Sequence, residues 1–228
     1  MNKKIKLKAP LFLGGLLVLL CANALALPDS PAIPVKDAEM RQILGDLKKK
    51  MKQIENMQTG FVQKKKLKTF QHEVVLKGTI AMQKPNRFAW RIESPIRYSI
   101  VFKDGKIYQW NEDTDRVEVL SMSAAPVFKI VIEQMQTWFY GSYTDLLAQY
   151  DIRVFSKNPL VLEFTPHKEA LSAPMIQAIT IQFRHDQSYI ESIRIMEKSG
   201  DQSLMIFTGT LLNTGIDASV WEMKQHAV

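Results

Sequence analysis

Met40, Ile43, Leu44, Leu47, Met51 and Ile54 recur at steps of three and four residues, so one face of a helix is apolar. Asp37 is placed to cap the start of that helix, and Lys48, Lys49, Lys50 and Lys52 fall largely on the wetter side. The pattern predicts an amphipathic helix of about five turns that must lie on something apolar. From Phe61 the period changes to two. Val74, Leu76, Gly78, Ile80 and Met82 alternate with Val75, Lys77, Thr79, Ala81 and Gln83, and Phe88, Trp90 and Ile92 alternate with Arg87, Ala89, Arg91 and Glu93. Tyr98, Ile100 and Phe102 form a third run, and Asp104-Gly105 turns the chain into Ile107–Trp110, followed by Arg116–Leu120.

A second helical patch follows Pro126, where Val127, Ile130, Val131, Gln134, Met135 and Trp138 share a face, and residues 145–149 suit one more turn. The period of two then resumes at Ile152–Phe155, Leu160–Phe164, Ile179–Phe183, Ile190–Met196 and Leu204–Thr208. Asn158-Pro159, His185-Asp186-Gln187 and Ser199-Gly200-Asp201 punctuate these runs. About ten strands with two helical insertions and no βαβ alternation predict an α+β domain around one large antiparallel sheet. No repeat and no linker divides it.

The N-terminus changes the picture. Lys3, Lys4, Lys6 and Lys8 precede an apolar run from Ala9 to Cys21, and the small-residue pairs Ala22/Ala24 and Ala24/Ala26 follow. This is the layout of a secretory signal, with the best cleavage site after Ala26. The run is short for a membrane span, which needs roughly 20 residues. Leu20 before Cys21 does not suit a lipid-modified cysteine. Residues 1–26 are therefore expected to be a signal peptide and residues 27–228 the mature domain, beginning with an extended leader punctuated by Pro28, Pro31 and Pro34. Cleavage removes the single cysteine, so the exported domain cannot use a disulfide. It also removes four of the seven net positive charges. A basic cluster at Lys64, Lys65, Lys66 and Lys68 remains, without aromatic interleaving; a solvated strand end is expected there, and no nucleic-acid partner.

Catalytic patterns are missing. The chain has no G-x-S-x-G elbow, no H-E-x-x-H and no thiol after cleavage. His72, His167, His185 and His226 are scattered, with no metal-ligand spacing among them. No enzyme, no cofactor and no metal site are expected.

Phe61-Val62-Gln63-Lys64 and Leu76-Lys77-Gly78-Thr79-Ile80 begin a likeness to a known family. Met82-Gln83-Lys84-Pro85-Asn86-Arg87-Phe88-Ala89-Trp90 sharpens it, and Ser94-Pro95, Phe102-Lys103-Asp104-Gly105-Lys106 and Trp110 continue it. Ala125-Pro126, Leu162-Glu163-Phe164-Thr165-Pro166 and Ile193-Arg194-Ile195 follow in order. In this ordered set the chain resembles the LolA family of periplasmic lipoprotein carriers. The resemblance implies a highly curved, unclosed antiparallel sheet (an incomplete barrel) covered by lid helices, with acyl chains between them.

On that footing the expected acyl-cavity residues are Met82, Phe88, Trp90, Ile100, Trp110, Ile130, Val131, Met135 and Trp138. From the residues alone, an ordinary core is the favoured reading of the same aromatics. Lys84 stands where the family has an arginine that ties the lid, and 213–221 lacks the family's apolar-Pro-Pro ending. The implied function is a periplasmic, non-enzymatic carrier taking acylated lipoprotein or lipid cargo from an inner-membrane transporter to an outer-membrane acceptor. A monomer is expected. The alternatives are a carrier of glycolipid or other lipid cargo, and an envelope-stress sensor of acylated ligands, although the sensor of similar fold is a longer, two-domain chain.

Overall fold

The computed structural model describes residues 31–69, 72–122, 135–140, 143–170 and 172–223. The signal segment, Ile130 and Val131 lie outside them. The first helix, α1 (Asp37–Lys52), buries Leu44, Leu47 and Met51, the predicted apolar face. Asp37 does not cap it. Lys36 occupies the cap position with no side-chain bond, and Asp37 and Glu39 sit in the first turn. Lys49, Lys50 and Lys52 fill the last turn, so both ends carry the charge that the helix dipole favours.

Eleven strands follow: β1 (Asn56–Lys66), β2 (Val74–Gln83), β3 (Arg87–Ser94), β4 (Tyr98–Lys103), β5 (Lys106–Asn111), β6 (Val117–Ser121), β7 (Tyr150–Lys157), β8 (Leu160–Pro166), β9 (Ile176–Phe183), β10 (Ile190–Glu197) and β11 (Gln202–Leu212). They make one antiparallel sheet in the order β6-β5-β4-β3-β2-β1-β11-β10-β9-β8-β7, with β6 and β7 as unclosed edges. The first and last strands pair at its centre, where Phe61 faces Phe207. Between β6 and β7 the chain supplies helical residues 135–140 and a single turn, α2 (Tyr143–Leu146). Ile33 of the leader bridges to Val154 on β7, covering part of that edge.

Two local features hold the register. Asp104 (φ 51°) and Gly105 (φ 71°) occupy the left-handed region in the two-residue turn joining β4 to β5. At Gly78 the β2–β3 pairing slips by one residue, and a Cβ there would lie 1.8 Å from the Arg91 carbonyl oxygen. Only glycine allows that approach.

The sheet's two faces have different partners. The inner face shares one apolar cluster with α1, residues 135–140 and α2, running from Met82 and Trp90 to Phe164, Phe183 and Phe207. On the outer face Ala81, Ala89 and Val101 leave a shallow seat for Trp221, brought by a 3-10 turn (Ala218–Trp221). Arg91 Nη2 donates to the Val220 and Glu222 carbonyls, at 2.8 and 2.7 Å, and Arg87 lies 5.8 Å from the Trp221 ring centre. The turn was not predicted, because four residues carry no periodicity.

Candidate functional site

Pairing sets the inner face row by row. Met82, Phe88 and Phe102 form one row, and Ile80, Trp90 and Ile100 the next. Trp90 meets Phe61 edge-on at 5.7 Å and Phe88 at 6.4 Å, and all are buried. Leu44, Leu47 and Met51 belong to the same cluster. From the opposite half, Trp138 packs on Phe164 at 5.0 Å and near Tyr150 at 6.3 Å, while Phe139 meets Phe207 at 5.3 Å. Tyr143 donates its hydroxyl to the Trp138 carbonyl. Met135 is partly buried at the margin of the cluster. The structure thus brings Met82, Phe88, Trp90, Ile100, Met135 and Trp138 into one interior.

Trp110 does not join them. Because Lys103 faces Lys106 across the two-residue turn, Ile100 faces Gln109 and Trp110 faces Ser99. Trp110 therefore points to the outer face, where its Nε1–H donates to Asp115 at 2.9 Å. It lines an outer cleft of about 490 Å³ with Thr79, Arg91, Ser99 and Val220. The position expected for an aromatic in the cavity is held by Gln109 instead.

Lys84 links the two helical segments across the rim of this interior. Its ammonium donates to the Lys52 carbonyl at 2.8 Å, at the last residue of α1, and to Glu55 Oε1 at 3.2 Å. It also lies 5.2 Å from the ring centre of Tyr140, the last described residue of the 135–140 helix. Burial, with the Glu55 carboxylate nearby, pushes the Tyr140 phenol well above its ordinary value, so it stays neutral. Asn213 holds the end of α1 as well, accepting from the Glu55 amide at 2.7 Å and donating to the Gln53 carbonyl at 3.0 Å.

Residues 52–224 match the family described as outer membrane lipoprotein carrier protein LolA. The chain belongs to the LolA family. An outer-membrane lipoprotein carrier protein of Alcanivorax borkumensis is 22% identical over 193 residues, covering 84% of this chain and 88% of that one. An uncharacterised conserved protein of Thermus thermophilus shares the fold with a TM-score of 0.51 at 8% identity, over 82% of this chain and 96% of that one. The MucA/MucB complex of Pseudomonas aeruginosa contains a chain matched with a TM-score of 0.50 at 14% identity, over 80% of this chain and 60% of that one. The unclosed sheet with its sparse helices is the LolA-type architecture expected from the sequence.

Set in the LolA frame, one group of inner-facing residues departs from an apolar lining. Thr59, Gln63 and Lys65 alternate with half-buried neighbours along β1 and point inward with Met57 and Phe61. Lys65, expected on a solvated strand end, is 1% exposed. Its ammonium acts on the carboxylate of Glu197, whose pKa burial raises above the usual carboxylate range and Lys65 partly restores. Parity counted from Phe61 would have found all three; an apolar-only reading passes over them. Among the described residues no group of three or more His, Cys, Asp or Glu could hold a metal, and no helix is long and apolar enough to cross a membrane.

Proposed function

We propose that this LolA-family protein is a periplasmic carrier that shelters acyl chains of lipoproteins or other lipids between the inner sheet face and its helices. The observation that carries this reading is the single apolar cluster shared by two separate helical segments and the whole sheet, with Lys84 bridging the segments at the rim. Separating those segments would expose Met82, Phe88, Trp90, Ile100 and Trp138 to a ligand; Ile130 and Val131 belong to the same proposal.

A carrier answers a physical need. Each CH₂ brought into water costs about 0.8 kcal/mol, so a multi-acyl molecule leaves a membrane unaided only very slowly. An interior that opens recovers that energy, and one that closes on itself can release the cargo. The protein performs this without catalysis, as a monomer, receiving cargo from an inner-membrane transporter and passing it to an outer-membrane acceptor.

Export precedes all of this. Cleavage after Ala26 gives a periplasmic product beginning at Leu27, which N-terminal sequencing reads directly. Mass spectrometry of material co-purifying with periplasmic protein tests the carrier reading: acylated molecules in stoichiometric amount support it, and protein free of lipid after gentle isolation removes it. The second reading, a sensor whose partner binding depends on an acyl ligand, is favoured by the fold shared with the MucB-type chain. A partner captured only by the lipid-loaded form would select it.

A further inference from the structure

Gln63 lies at the sheet's centre, on the inner face of β1 between Leu76 of β2 and Met205 of β11. It is completely buried, and neither its Nε2 nor its Oε1 has a hydrogen-bond partner among the described residues. Lys65, two residues along the same face, acts on the Glu197 carboxylate and makes no hydrogen bond to Gln63. Two other inner-face atoms share its condition. The Nε1–H of Trp90 and the Oε1 of Gln109 are buried without partners, and they stand in one row on either side of Ile100. A buried amide with both ends unmatched is unfavourable, and such groups persist where something else satisfies them.

The chemistry of these atoms selects among ligands. Gln63 Nε2 and Trp90 Nε1 are donors and need a carbonyl; Gln63 Oε1 is an acceptor and needs an N–H or O–H. A hydrocarbon chain supplies neither, and an ester supplies only acceptors. A secondary amide carries both a C=O and an N–H in one group. We propose that Gln63 is a specificity residue of the acyl site, pairing with the amide that joins an acyl chain to the rest of the cargo. This rests on the carrier reading and names the class of cargo: N-acylated molecules are preferred over ester-linked ones of equal chain length. Trp90 supplies a further donor to carbonyls lying deeper along the sheet.

The test uses the full exported protein and two competitors that differ by one N–H, N-methyldodecanamide and methyl dodecanoate, displacing the apolar dye 1-N-phenylnaphthylamine. Gln63→Met keeps the length of the side chain and removes both polar ends. The ratio of amide to ester affinity should fall about tenfold in Gln63→Met, about 1.4 kcal/mol, with the ester's affinity unchanged. The variant's melting temperature should hold or rise, since an unmatched polar group has been removed. An unchanged ratio overturns the inference. So does a variant that unfolds or melts well below the parent, because Gln63 would then be a structural residue. If the dye binds and the ratio does not move, this inference alone fails; if neither the dye nor either competitor binds the parent, the carrier reading fails with it.

Discussion

The Lys84 ammonium lies 5.2 Å from the ring centre of Tyr140 while donating to the last carbonyl of α1 at 2.8 Å. One flexible side chain thus holds two helical segments that meet over the same apolar interior. A lysine offers a point charge where an arginine would offer a planar fork of fixed donors. Lys84→Met should lower stability by about 1–2 kcal/mol in urea and speed release of a bound fluorescent fatty acid. Lys84→Arg should slow that release. If all three proteins load and unload alike, Lys84 has no part in opening.

Met135 and Trp138 sit on one helical segment with different burial. Trp138 is 5% exposed and touches Tyr143, Tyr150 and Phe164, whereas Met135 is only partly buried. Trp138→Ala should therefore cost about 3–5 kcal/mol, and Met135→Ala much less than the roughly 2–5 kcal/mol of a fully buried methionine. If the segment moves to admit acyl chains, Met135→Ala still changes probe affinity. A large stability loss with unchanged binding would assign it to a static core.

Arg91 presents a sharper mechanical case on the outer face. One nitrogen serves two carbonyls of the C-terminal segment, and burial depresses the guanidinium's pKa, although it remains charged. Arg91→Met should release Trp221 from its seat, shifting tryptophan emission to longer wavelength, at a cost of about 1–3 kcal/mol. The same substitution in a Trp221→Phe background should leave the spectrum in place. Acyl-probe affinity should be little affected, because the segment lies on the opposite side of the sheet.

Glu197 makes stability depend on pH. Its folded pKa is raised, first by burial, so the folded state binds a proton more readily than the unfolded chain. The protonated form therefore favours folding below the ordinary carboxylate value, and that advantage is lost as pH rises through the raised one. Glu197→Gln, which cannot ionise, should remove this contribution. Parent stability measured relative to the variant should decline across that window in urea titrations, and a flat difference would rule the contribution out.

Most strands were legible because one side faces apolar neighbours and the other solvent, which writes a period of two into the sequence. The same reading failed at Trp110 for a counting reason. A two-residue turn at Asp104-Gly105 makes Ile100 face residue 109, and that arithmetic excludes residue 110 from the inner face. Hydrophobicity drew the tryptophan inward; register put a glutamine there. Gln63 and Lys65 escaped for the converse reason, since polar residues at inner positions break the pattern that marks them. The link from Lys84 spans elements distant in sequence: the family resemblance marks Lys84 as a lid contact, and the fold supplies its partners, Tyr140 and the Lys52 carbonyl.

The two end strands of the sheet, β6 and β7, are consecutive in the chain and joined by residues 122–149. In the carrier proposed above, any parting of those edges would have to be accommodated by the connection between them. The number of residues in that connection would then limit how far the edges can part, separately from how strongly the apolar interior holds a ligand. Lengthening it by a few residues would admit bulkier contents with little change in affinity for a single slender chain.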